Sequence, residues 1–272
     1  MKDFTLKKYK LLLQILQRQG FSFQTFEQFI EYPKEKVVIL RHDVDRLPNN
    51  ALQMARLENS LGFCGSYYFR IVKESFHSEI IKEIVKLGHE IGYHYENLSI
   101  ANSQIKNSKF KIKNCEEELF KVAIEDFAKN LKIFRKFYPV KTICMHGSPL
   151  SKWDSKKLWQ KFDYRDYGII AEPYFDVDFS NMAYLTDTGR RWNGDKFSFR
   201  DRVTSTYNFD FNTTQEIIKN VASLPDKVMF TIHPERWNDA FFPWLKAYLW
   251  QNLKNVVKYI LLKRKLASNE TN

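Results

Sequence analysis

Asp43 and Asp45 stand two residues apart behind the apolar run Val37-Val38-Ile39-Leu40. In an extended chain that spacing puts both carboxylates on one face. Two carboxylates so placed can divide labour: one holds a metal ion and the other takes a proton from the water that the metal activates. A second segment, Gly88-His89-Glu90-Ile91-Gly92-Tyr93-His94-Tyr95-Glu96, brings His94 toward the end of another strand-like run. His146 follows a strand-like run, residues 141–145, and His233 an apolar one, residues 228–232. The set suggests metal-assisted hydrolysis.

The elements that must position these groups alternate along the chain. Leu6, Tyr9, Leu13 and Leu16 recur near a 3.6 period and predict a helix over 6–19, with a second short helical segment over 22–31. A strand over 37–40 leads to Asp43, and a helix over 49–61 ends at Gly62. Strands are expected at 66–71, 90–95, 141–145, near 168–175, at 182–186 and at 228–232. Helices are expected at 78–87, within 114–137 before Pro139, around 154–162 and over 239–265. Thr213 and Glu216 form a capping-box pair opening a helix to about 222. Strands alternating with helices imply a parallel sheet with right-handed crossovers. Asp43, Asp45, His94, His146 and His233 then share the C-terminal strand ends, the rim where α/β barrels gather their sites. Neither a repeat nor a linker interrupts the chain. A single domain over 1–272 is expected, with 1–35 as a helical N-terminal extension.

The 23 Phe, 14 Tyr and 6 Trp among 272 residues can fill a sizeable core. Cys64, Cys115 and Cys144 are widely spaced, match no zinc-knuckle pattern and read as core residues in a reducing compartment. The N-terminus lacks a signal-peptide core, and no segment has the ~18 apolar residues of a membrane span. A cytoplasmic protein is expected, with a second reading that sets it at the inner face of the membrane. The formal net charge of +11 is dispersed and accompanied by no nucleic-acid-binding motif, so no nucleic-acid partner is expected.

The segments Arg41-His42-Asp43-Val44-Asp45, His89-Glu90-Ile91-Gly92-Tyr93-His94-Tyr95-Glu96 and Ile232-His233-Pro234-Glu235-Arg236-Trp237 resemble the polysaccharide deacetylase family, carbohydrate esterase family 4, over roughly residues 37–237. The resemblance implies a distorted (β/α) barrel of the deacetylase type, often seven-stranded. It implies removal of an acetyl-like group from an amide of a carbohydrate or glycoconjugate in surface-polysaccharide metabolism, with a divalent metal, usually zinc. Asp43 resembles the catalytic base, Asp45 the metal-binding aspartate, His94 the first metal-binding histidine and His233 the late general acid. The family's second motif carries two histidines four residues apart, whereas Leu98 stands four after His94. His146 is the preferred third ligand, because imidazole suits zinc, with Glu96 as the alternative. Asp187 lies where the family places a carboxylate that supports the late histidine. The turn at Gly147 and Ser148 is a candidate oxyanion donor.

Arg236 is read as a grip for a substrate carboxylate, and Trp237 and Trp192 as surfaces on which a sugar ring stacks. His42 and Arg41 are assigned to the strand face opposite Asp43, and His89 to a structural role. The last helix carries a broad apolar stripe among lysines. It is expected to pack on the barrel; the sharper reading is an interfacial helix giving peripheral membrane contact. Rival functions are a catalytically degenerate sugar-binding member of the same fold and an amidohydrolase acting on a non-sugar amide.

Overall fold

The structure is a computed structural model and describes residues 2–107, 115–147, 151–192 and 203–269. It is an α/β fold on a parallel seven-stranded sheet. The strands are β1 (Ser22–Gln24), β2 (Val37–Val44), β3 (Ser66–Phe69), β4 (Glu90–Tyr95), β5 (Ile143–Met145), β6 (Ala183–Thr186) and β7 (Lys227–Ile232). They run in the order β5-β4-β3-β2-β7-β6, with β1 paired to the start of β2. From β2 the chain steps outward through α3 (Pro48–Ser60), α4 (Ser78–Lys86), and α5 (Asn97–Asn107) with α6 (Cys115–Phe134). It then returns to the other side of β2 with β6 and β7.

Strand alternation sorts the side chains into two populations. Outward-facing Tyr67, Phe69, Ile91, Tyr93 and Tyr95 pack against Leu52, Ile81, Ile84, Phe127 and Leu131 of the flanking helices. Val38, Leu40, Val228, Phe230 and Ile232 pack against Tyr9, Leu12, Leu13 and Leu16 of α1 (Leu6–Arg18) and Ile217 of α8 (Thr214–Lys219). The concave face holds Ile39, Tyr68, Cys144 and Met229 as an apolar plug. Strands lie ~4.8 Å apart, so a flat sheet would hold β2 and β5 ~14 Å apart. Asp45, just beyond β2, nevertheless comes within 3.4 Å of His146, just beyond β5. The sheet is therefore strongly curled, and its concave side collects side chains from strands that are not neighbours.

Several expected elements differ. The 22–31 segment is β1 followed by α2 (Phe26–Glu31), because Thr25 and Gln28 form a reciprocal capping box that starts the helix only after the strand. The extension over 1–35 is thus part strand and belongs to the sheet. The strand near 168–175 reduces to a single bridge, Thr142 to Ala171, before Pro173 opens the short helix α7 (Pro173–Asp176). The helix around 154–162 is a 3-10 turn over Ser155–Gln160. Helix α5 was not anticipated.

His42 faces outward, as its position on β2 requires. It lies 2.8 Å from Glu58, which also accepts hydrogen bonds from Tyr9 (2.7 Å) and Tyr67 (2.9 Å), all fully buried. His89 binds the Gly65 amide (3.0 Å) and lies 2.9 Å from the Ala55 carbonyl, a structural role. The chain ends in α9 (Phe241–Asn269). No described helix is long and apolar enough to cross a membrane.

Candidate metal centre and acid–base site

The C-terminal strand ends carry the chemistry. Asp45, just beyond β2, His94, on β4, and His146, just beyond β5, face one another, with Asp45 between the two imidazoles. The Asp45 Oδ1 lies 3.5 Å from His94 Nε2 and 3.4 Å from His146 Nε2, and the two imidazole centroids are 5.2 Å apart. His94 pairs in register with Cys144, so His146, two residues on, falls on the same face one layer higher. That register supplies the second histidine that the sequence lacks at Leu98. Leu98 itself sits in the first turn of α5 and is fully buried in the core.

The tautomers follow from the partners. His94 Nδ1 lies 2.9 Å from the Cys144 carbonyl, which can only accept, so Nδ1 carries the proton. His146 Nδ1 lies 2.8 Å from the Glu96 carboxylate, with the same consequence. Both Nε2 lone pairs therefore point at Asp45, whose Oδ1 is buried without a hydrogen-bond partner. Three acceptors facing one another with no proton between them repel unless a cation lies among them. Two nitrogens and an oxygen, with both outer imidazole N–H groups held, form the donor set of a zinc-type site.

Glu96 is thereby an orienter of His146, not the third ligand: Arg70 donates to its other oxygen at 2.6–2.8 Å. A second grouping, Asp43, His94 and Cys144, also places ligand atoms within 4.8 Å of one another. It fits an ion less well. Both Asp43 oxygens are engaged by Arg41, and Cys144 belongs to the apolar plug.

Asp43 is buried and receives two hydrogen bonds from Arg41, from Nε at 3.1 Å and Nη2 at 2.8 Å. The assignment of Arg41 to the opposite face is corrected here. Arg41 and Asp43 are two apart on one strand, so the pleat puts them together, with Tyr174 and Tyr184 rings beside the guanidinium. Asp43 Oδ2 lies 3.9 Å from His94 Nε2, outside the ligand set.

His233 closes the other side. Its Nδ1 lies 2.7 Å from Asp187 Oδ1, which leaves Nε2 as the free ring nitrogen. Asp187 is fully buried and accepts further hydrogen bonds from the His233 amide (3.0 Å), Trp237 Nε1 (2.8 Å) and Arg236. Burial disfavours its charge, but Arg236 and His233 outweigh that and hold it at about 2. Burial and Arg236 depress His233, yet Asp187 and Asp45 raise it above its ordinary value.

The expected substrate grips are not where the sequence suggested. Trp192 and Trp237 are each only 1% exposed. Trp192 packs on Phe4, Phe230 and Trp237 and donates to Thr214 (3.0 Å), so neither ring offers a face to a sugar. Arg236 is committed to Asp187 and fixes the loop after β7. Ser148 lies outside the described residues, so only Gly147 of the expected oxyanion turn is described.

No protein-family model matches the sequence. No curated protein matches it either. Two solved structures with which the chain is similar at low level are Escherichia coli diaminopropionate ammonia lyase in complex with D-serine and in apo form. The first has 10% identity and a TM-score of 0.23, over 90% of this chain and 78% of that one. The second has 12% identity and a TM-score of 0.22, over 90% and 77%. Similarity of that degree bears on neither fold type nor activity.

Proposed function

We propose that the chain is a metal-dependent hydrolase that cleaves an acyl amide of a carbohydrate or glycoconjugate on a deacetylase-type distorted barrel. The observation that carries this reading is the convergence of Asp45, His94 and His146, with Asp43 on one side and the Asp187–His233 pair on the other.

Asp45, His94 and His146 would hold a divalent cation, zinc being the best match to their donors. Such an ion, when bound, supplies Lewis acidity and lowers the pKa of a coordinated water to about 7. Asp43, fixed at both oxygens by Arg41, accepts the proton of the attacking water. His233, with its proton affinity raised by Asp187, donates from Nε2 to the departing amine. Arg41 and Asp187 touch neither water nor amide; they position the base and the acid.

The test is metal content by plasma mass spectrometry together with acetate release from N-acetylated oligosaccharides. Bound stoichiometric metal and turnover lost in Asp43→Asn are expected. A folded protein that takes up no divalent ion, or an Asp43→Asn variant with full turnover, contradicts the reading.

A further inference from the structure

Helix α9 is inverted relative to an ordinary surface helix. The side packed on the body of the protein is polar: Gln251 and Asn255 are buried, Gln251 donates to Asn255 (2.9 Å), and Asn255 donates to the Gly189 carbonyl (3.0 Å). Trp244 joins them by donating to the Asp3 carbonyl (2.6 Å). The side left in solvent is apolar. Phe242, Leu249, Trp250 and Leu253 are 80%, 60%, 53% and 56% exposed. At 3.6 residues per turn these four fall within an arc of about 100°, the width of a stripe that normally faces a core. Exposed Lys246 lies inside the same arc. Phe241 and Tyr248 of the same helix are exposed outside this arc, and the exposed Leu11, Tyr32 and Phe175 lie on other elements.

Charge selects what covers this stripe. Over its 29 residues α9 carries Lys246, Lys254, Lys258, Lys263, Arg264 and Lys265 and not one Asp or Glu. A second copy laid against it would oppose two helices of the same sign. An anionic lipid surface would instead pair with the lysines while its acyl boundary takes the phenylalanine, leucines and tryptophan. The helix is too polar to span, so it would lie in the interface plane.

We propose that α9 is an interfacial helix that seats the protein on an anionic lipid surface. Seating also sets the reaction centre beside the bilayer. Asn255 holds the loop two residues after Asp187. The lipid contact needs no metal, so it stands or falls apart from the hydrolase reading.

Flotation of the full-length chain tests it, with phosphatidylcholine vesicles and with an equal mixture of phosphatidylcholine and phosphatidylglycerol. The wild type is expected to float with the anionic vesicles and to be released by high salt. Leu249→Glu/Leu253→Glu, two exposed sites, is expected to keep the thermal midpoint and lose about tenfold or more in partitioning. Absence of flotation with anionic vesicles overturns the proposal, as does a double variant that floats like the wild type. A lipid-indifferent dimer that the double variant makes monomeric would assign the stripe to a second copy instead.

Discussion

At the scale of single residues, the proposed reaction needs a proton acceptor, Asp43, and a proton donor, His233, at the same strand ends. Asp43→Asn preserves the shape of the base and removes its ability to take a proton. It is expected to lower kcat by about 10²–10⁴ while metal content, measured on the same sample, stays at the wild-type level. His233 must be protonated to act, so activity is expected to fall as pH rises through its value, which Asp187 lifts above the ordinary 6.5. Asp187→Asn removes that lift, so the alkaline limb of the kcat profile is expected to move to lower pH; an unmoved limb would make Asp187 merely structural. Most of these residues are legible in the sequence because spacing and strand ends mark them. Arg41 and Asp43, two apart on β2, share a face because Arg-x-Asp on a strand implies it. Trp192 and Trp237 were misread because an aromatic residue near a motif looks the same in sequence whether it lines a cleft or fills a core.

At the scale of elements, register does the positioning. Parallel pairing of β4 with β5 aligns His94 with Cys144 and so delivers His146. No pattern within either segment records that pairing, which is why Glu96 competed with His146 as the third ligand. Glu96 holds His146 from outside, and Glu96→Gln is expected to weaken metal affinity about 10–100-fold without abolishing binding, as read by competition with a chelating dye. Gly92 is needed because the Tyr68 ring lies where its side chain would project. Gly92→Ala is expected to cost about 1–3 kcal/mol in denaturant unfolding. The loop holding Asp187 adds a pH term. Its folded value of about 2 lies below the ordinary 3.8. The resulting stabilisation of about 2 kcal/mol is complete above the ordinary value and is lost as pH falls toward the folded one. The unfolding free energy should therefore decline between about pH 4 and pH 2, with a shallower decline in Asp187→Asn. Short elements were the hardest to read: β1 is three residues long, and α5 carries no strong apolar period, so burial contributed by distant segments decided both.

At the scale of the whole molecule, the sheet gathers groups separated by up to 190 residues, Asp43 to His233, at its C-terminal strand ends. The alternation of apolar runs announced a parallel α/β sheet. It did not announce the curl. Because the three facing acceptors repel without an ion, the folded state should be strongly metal-linked. Saturating zinc at about 100 times Kd is expected to add about 2.7 kcal/mol of stability, read as a rise in Tm, and chelation to remove it. The most direct test is anomalous diffraction at the zinc edge from crystals of the metal-loaded protein. One strong peak bonded at ~2.0–2.2 Å to Asp45, His94 and His146, with Asp43 and His233 flanking it, is the predicted result. A peak held by Asp43, His94 and Cys144, or no peak at these strand ends, would contradict the account.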